Sequence, residues 1–322
     1  MPTLRSAIQL VPYEPQLREA WRRLVDRSRN GTFLHQRDYM EYHSDRFTDA
    51  SLLFFRGDRA VAALPATLRD GVLSSHAGLS YGGLVMDTEL HAWEVLDIFE
   101  VLYKWGRSKS IHTLAYKSIP HIYHRAPAEE DLYALHRMGA QVTRRDLSTC
   151  IPPGGSAAPI SKGRRNCVAK ARRSGLMAVE SHDYATFMQI ASSELQAKYG
   201  LQPTHDASEL ALLAERFPTH VKLLGGYLEK RLLGGVVLYL TDTVCHVQYI
   251  ASTDEGRQHG VVDLCVHEAM TLFTGERRWF DFGISTTAQG RDLNQGLTLN
   301  KESWGGRTVV FDHYTLDFGG SS

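Results

Sequence analysis

Cysteine is scarce: the 322-residue chain holds four, at positions 150, 167, 245 and 265, and none forms a CxxC pair. That excludes a disulfide-stapled scaffold or a cysteine-rich zinc module, and it predicts reduced thiols in a cytoplasmic protein. The 15 histidines form neither an HExxH stretch nor a spaced ligand set, so no metal is expected. There is no GxSxG elbow and no Ser-His-Asp order, which leaves hydrolase chemistry unsupported. The opening MPTLRSAIQLVPYEP lacks the long apolar core of a secretory signal, and no apolar run approaches a membrane span. Charge of one sign is missing too: Lys+Arg and Asp+Glu each number 36. A net charge near zero argues against bulk attraction to DNA or an anionic membrane and leaves only a local basic patch open.

What is present suits a folded α/β chain of one large or two ordinary domains, 43% hydrophobic and 22% charged. Residues 51–83 and 220–253 share one order: apolar strand, polar turn, apolar strand, polar turn, then a third strand carrying His76 or His246. The turns are RGDR and RDG in the first half, YLEKR and TDT in the second. Each meander is preceded by helical pattern, with Leu17, Trp21 and Leu24 on one face in EPQLREAWRRLVDRS, and SELALLAERF in the second half. Each is followed by a helix, a basic turn and a short strand. The expectation is an α/β (α+β) chain of two tandem domains, each a mixed, mostly antiparallel sheet flanked by helices. CIPPGGSAAP breaks secondary structure between them and sets the boundary at 1–152 and 153–322. The basic KGRRNCVAKARRSG follows it, either a solvated face or a phosphate-facing helix that includes Arg164 and Arg165.

The stretch YIASTDEGRQHGVVDLCVHEAM passes from a strand through a Gly-rich turn into a helix. Unpaired N–H groups at a helix start, with glycine allowing close approach, make an anion site. Arg257-x-x-Gly260-x-Val262 is similar to the Gln/Arg-x-x-Gly-x-Gly/Ala pyrophosphate loop of GNAT acyltransferases, departing at Val262 where a small residue is usual. With SSHAGLSYGGLV, HVQYIASTDEGRQHG, FDFGISTTAQGRDLNQGL and NKESWGG, the chain from about residue 30 to 316 resembles a narrower group. That group holds Fem-type peptidyltransferases and double-GNAT acyltransferases found with surface-polysaccharide genes. The resemblance implies two GNAT-like domains and acyl transfer to an amine. It does not fix the donor; the pyrophosphate-type loop makes acyl-CoA the expected one, held by Ile250, Arg257, Gln258, His259, Gly260 and Asn294. The first half has Asp87-Thr88-Glu89-Leu90-His91 where that loop stands, so only the second half should bind a nucleotide.

Catalytic candidates lie near the loop. His246 and Gln248 alternate on one strand face with Tyr249 on the other, and His246 suits a base near neutral pH. Asp281, a carboxylate in an apolar strand, either accepts the amine proton, holds the amine, orients the loop with Lys301, or pairs with Arg277, Arg278 or Lys301. Lys301 is expected to hold a carbonyl, a carboxylate or a phosphate. Ser285 and Thr286 end the Asp281 strand, and His76 and Tyr81 offer one wall for the acceptor. Three readings follow. The first is an acyl-CoA-dependent N-acyltransferase acting on a nucleotide-linked amino sugar, with Arg164 and Arg165 meeting its diphosphate. The second is an aminoacyl-tRNA-dependent Fem-type enzyme, disfavoured by the neutral charge and by the lack of a long coiled-coil arm. The third is a non-catalytic binding module.

Overall fold

The computed structural model describes residues 7–155, 158–275 and 278–319. It falls into two compact units, Met1–Asp146 with Val310–Ser322, and Leu147–Val309.

The first unit begins with β1 (Ile8–Pro12), α1 (Arg18–Arg27) and the short α2 (Arg37–Met40). Trp21, Leu24 and Val25 are the buried face of α1, the i, i+3, i+4 stripe of an amphipathic helix. Then come β2 (Leu52–Arg56), β3 (Arg59–Leu64), β4 (Thr67–Arg69), β5 (Val72–Ser74) and β6 (Val85–Met86). They are followed by α3 (Ala92–Ser108), β7 (Thr113–Lys117) and α4 (Glu130–Arg137). The strands β1-β2-β3-β6 form an antiparallel sheet. The hairpin β4-β5 pairs in parallel with β7 instead. This corrects the expected meander. Pro65 follows β3 and cannot donate to a ladder, so the Arg69-Asp70-Gly71 turn joins β4 to β5, and β3 takes β6 as its next neighbour. His76 therefore lies on the excursion between β5 and β6, with φ of 56°, and not on a strand beside β3.

The second unit takes residues 147–151 of β8 (Gln141–Ile151), then α5 (Lys162–Arg173), β9 (Leu176–Ser181), α6 (Tyr184–Tyr199) and α7 (Ala207–Arg216). The meander follows as β10 (Val221–Leu228), β11 (Arg231–Leu240) and β12 (Val244–Ser252). After it stand α8 (Asp254–His259), α9 (Val261–Phe273), β13 (Trp279–Ile284), the small pair β14 (Thr286–Thr287) and β15 (Asp292–Leu293), and α10 (Gln295–Glu302). Strand β16 (Arg307–Asp317) closes the chain, and its residues 313–317 pair antiparallel with β7 in the first unit. The second unit's strand order is β9-β10-β11-β12-β13-β8. Every neighbouring pair is antiparallel except β12 with β13, which is parallel. α9 buries Val261, Leu264, Cys265, Val266 and Ala269, in one core cluster with Val236, Leu238 and Phe280 of the sheet.

Candidate active site

The parallel pair β12–β13 is short. Val244, Cys245 and His246 pair with Trp279, Phe280 and Asp281, while β12 runs on to Ser252 and β13 ends at Ile284. Beyond His246 the two strands have no ladder to each other. Ile250 on β12 and Ile284 on β13 are exposed. Such an opening in a sheet presents unpaired backbone groups and apolar side chains together, which suits an extended acyl group.

His246 and Asp281 stand at the last paired step. His246 Nδ1 lies 2.8 Å from Asp281 Oδ2. With the proton on Nδ1, the ring offers the Nε2 lone pair, and Nε2 makes no hydrogen bond among the described residues. Asp281 is fully buried. Its Oδ1 accepts from Ser148 Oγ, from Cys150 Sγ at 3.3 Å and from the Gly283 N–H at 2.8 Å. Burial alone would raise the Asp281 carboxyl. The His246 ring and the hydrogen bonds from His246, Ser148 and Gly283 outweigh it and hold the carboxyl well below the usual carboxylate range. With Oδ2 on the imidazole and Oδ1 on Ser148, Cys150 and Gly283, both oxygens of Asp281 thus carry contacts within the fold. Of its expected basic partners, Arg277 lies outside the described residues, and Arg278 donates to the Thr241 and Phe273 carbonyls. Gly283, at φ 75°, carries no side chain on the face toward His246; a Cβ there would sit 3.4 Å from Cε1. Burial pushes the Cys150 thiol far up, with Asp281 adding to it, so Cys150 is no thiolate nucleophile.

Lys301 is buried, and its Nζ donates to the Gly283 and Ile284 carbonyls, each at 2.7 Å. Burial brings it down to about 8, against the pull of Asp281 and Cys150. Its two hydrogen bonds hold the turn that ends β13. Ser285 is buried with its hydroxyl unpaired, while its N–H goes to the Leu147 carbonyl. Thr286 Oγ1 accepts the Leu147 N–H at 3.4 Å. Asn294 is exposed; its N–H reaches the Ser285 carbonyl and its Oδ1 caps α10 through the Leu297 N–H.

A bulge re-aims β12. The register with β11 jumps from Val237↔Tyr249 to Leu238↔Val247, leaving Gln248 as the extra residue. The bulge interrupts the strict alternation on which the expected opposition of Gln248 and Tyr249 rests; the Tyr249 hydroxyl accepts the His205 N–H at 3.2 Å. That hydroxyl also lies 2.6 Å from His205 Nδ1, in the segment joining α6 to α7.

The Gly-rich turn is less open than its sequence suggests. The Arg257 guanidinium pairs with Glu194 at 3.0 Å and with Asp254, and also reaches the Ser252 carbonyl at 3.1 Å. Glu194 Oε2 accepts the Ser252 N–H at 2.9 Å. Gly260, at φ 79°, caps α8 and lies against α5, where a Cβ would come within 3.2 Å of the Cys167 carbonyl. Lys170 of α5 donates to the Gln258 carbonyl at 2.8 Å. Asp263 in the first turn of α9 pairs with Arg164, whose guanidinium also reaches Ser303 Oγ and the Asn300 carbonyl. Arg165 is exposed and donates to the Ile160 carbonyl; His259 is half-buried at the end of α8. At this turn carboxylates already take the Ser252 N–H and the Arg257 guanidinium, and Lys170 of α5 fills the Gln258 carbonyl.

In the first unit, Tyr81 is buried against Tyr123, with ring centroids 4.4 Å apart, and its hydroxyl lies 3.1 Å from Thr32 Oγ1. His76 is buried beside His43 at 5.4 Å between ring centroids. The loop that replaces the Gly-rich turn is closed by its own unit: Asp87 is fully buried and pairs with Arg27 and Arg59.

Residues 161–294 match the family model for the acetyltransferase (GNAT) domain. The match places a GNAT-type acetyltransferase domain within the second unit. No curated protein matches. Among solved structures, FemX aligns at 12% identity over 94% of this chain and 96% of its own, with a TM-score of 0.65. L-PGS from Bacillus licheniformis aligns at 13% identity over 96% of this chain and 93% of its own, with a TM-score of 0.58. The C-terminal domain of a putative lysylphosphatidylglycerol synthetase from Agrobacterium fabrum gives 10% identity over 94% and 98%, with a TM-score of 0.57. At these identities the likeness is one of fold. N-acyl transfer is the activity that goes with the domain, and GNAT domains as a class use acyl-CoA. No helix among the described residues is long and apolar enough to cross a membrane.

Sequence reasoning missed Ser148, Cys150, Gly283, His205 and Glu194. The alternation in LSTCI puts Ser148 and Cys150 on one strand face, but nothing local names Asp281 as their partner. Glu194 gives no signal on its helix.

Proposed function

We propose that the second unit acylates an amine at the β12–β13 opening, with His246 as general base and Asp281 as its positioning residue. The amine loses a proton to His246 Nε2 as its nitrogen bonds to the acyl carbonyl carbon. The bond from that carbon to the carrier then breaks, and the carrier leaves with the proton that His246 returns. Asp281 holds the imidazole in the required tautomer and stabilises the imidazolium formed in the transfer. The observation that carries this reading is the 2.8 Å contact between His246 Nδ1 and a fully buried Asp281 at the step where the strands part.

The acceptor implied by the sequence is the amino group of a nucleotide-linked amino sugar, and the exposed Lys162, Arg165 and Arg173 of α5 support an anionic one. The donor implied is acyl-CoA. A second reading, aminoacyl-tRNA, is favoured by the closed turn, where the groups that would hold a CoA diphosphate are already paired. A non-catalytic module gives no reason to aim an imidazole into a strand opening with a buried carboxylate. Acylation of amino-sugar nucleotides should be measured with acetyl-CoA, longer acyl-CoAs and charged tRNA in parallel. Transfer that needs His246 supports the reading; transfer by none of these donors sinks it.

A further inference from the structure

The Gly-rich turn has the parts of an anion site, and an anion is already in it. Glu194, one helix away on α6, puts Oε2 on the Ser252 N–H at 2.9 Å and Oε1 on Arg257 Nη1 at 3.0 Å. Lys198, one turn further along α6, pairs with the same Oε1. The Glu194 side chain is only 17% exposed, so its charge is taken up by these three donors. A backbone N–H with a guanidinium and an ammonium is the donor set that a phosphate oxygen would seek. Two further contacts close the rest of the turn. Gly260 faces the Cys167 carbonyl, and the first turn of α9 carries Asp263 paired with Arg164. A second negative group brought to the turn would meet the Glu194 carboxylate at hydrogen-bond range, and like charges at that distance repel strongly in a partly buried place.

We infer that Glu194 is a resident anion that shuts the α8 turn to a donor's diphosphate, and so decides which acyl carriers the enzyme accepts. The inference rests on the acyl-transfer reading above and narrows its donor. Carriers that dock a diphosphate on this turn are rejected unless Glu194 swings away. Carriers that present the activated acyl group without placing phosphate there reach the β12–β13 opening unhindered. A cleft of about 410 Å³ lines this side of the turn, bounded by Gln189, Ser193, Glu194, Thr253 and Arg257, and it gives a displaced diphosphate room once the carboxylate is removed.

The test is calorimetric binding of CoA and acetyl-CoA to the full chain, as wild type, Glu194→Gln and Glu194→Ala. Glu194→Gln keeps the side-chain shape and removes the charge, and it decides the matter if the alanine variant fails to fold. The wild type should bind weakly, and both variants should bind at least about tenfold tighter, a measurable step in dissociation constant. Adding Gly260→Glu to Glu194→Gln should erase the gain. Wild-type binding that neither Glu194 variant tightens would overturn the inference, as would no binding by any of the three proteins. A second arm separates this from the acyl-transfer reading. A phosphate-free thioester, the N-acetylcysteamine ester, is offered with an amine acceptor to wild type and His246→Ala. Transfer there needs His246 whatever Glu194 does, so undiminished transfer by His246→Ala discredits the base and leaves the binding arm to judge Glu194.

Discussion

Asp281→Asn isolates the orienting role of the buried carboxylate. The substitution keeps a side chain of the same shape and keeps Oδ1 as acceptor for Ser148 and the Gly283 N–H. It replaces the oxygen 2.8 Å from His246 Nδ1 with an NH₂ group. Two donors cannot face each other, so the imidazole must carry its proton on Nε2 and present a lone pair at Nδ1. The nitrogen turned to the opening then has no lone pair with which to accept the amine proton. The expected loss is that of general-base help, about 10²–10⁴-fold in turnover, or roughly 3–5 kcal/mol in the barrier at 1.36 kcal/mol per tenfold. The stability cost is smaller, about 1–3 kcal/mol, for one charge-assisted hydrogen bond made neutral in a buried place. The acid limb of stability should flatten as well. A carboxyl depressed in the folded state adds stability that is full above its unfolded value of about 3.9, and that stability is lost as pH falls through the lower folded value. Single-turnover acylation, thermal melts against pH and ¹⁵N spectra of the His246 ring read the three effects. An Asp281→Asn enzyme with normal turnover and a raised acceptor KM would refute the orienting role and restore the amine-holding one.

Lys301→Met should leave the Gly283 and Ile284 carbonyls without donors, costing about 1–3 kcal/mol and slowing acyl transfer by freeing the end of β13. Because Lys301 titrates near 8 when folded and higher when unfolded, wild-type stability should gain a component that rises between pH 8 and about 10.4, absent in the variant; identical alkaline melts would contradict this. Gly283→Ala forces a side chain into a left-handed position beside His246 and should destabilise by about 1–2 kcal/mol while lowering turnover, checked by melting and kinetics together. The first unit should be acid-labile: burial lowers His35 and His43 to about 4 and His76 to about 3, so the unfolded chain binds their protons first as pH drops. Each should withdraw roughly 2 kcal/mol between neutrality and pH 5, with an unfolded value of about 6.5; a melting temperature unchanged over that range would show the rings already paired with charge.

The local grammar of the chain was legible where it is carried by short-range pattern. The second meander, its turns at Glu229-Lys230 and Thr241–Thr243, and the helix from Val261 follow from alternation and glycine placement. His246 and Asp281 were legible as polar residues in apolar strands, but their contact comes from the parallel register of β12 and β13 across an intervening helix. The first meander misled because its apolar rhythm continues past Pro65, while the pairing does not. The bulge at Gln248 breaks the alternation along β12, and one extra residue leaves no mark in composition. The Gly-rich turn was legible as a helix entry, but the carboxylate that fills it belongs to α6, far away in sequence. The pairing of β16 with β7 is likewise long-range, joining residues 313–317 to 113–117.

The central claim is that His246 takes the amine proton. Amine acylation should therefore be followed over a pH series with wild type and His246→Ala, alongside donor affinity and thermal melting for both. The account predicts that His246→Ala loses about 10²–10⁴-fold in turnover, that the rise in rate with pH through the imidazole range disappears, and that donor affinity and folding hold. Near-normal turnover in His246→Ala with the wild-type pH profile would contradict it and leave the histidine as a sheet residue beside Asp281.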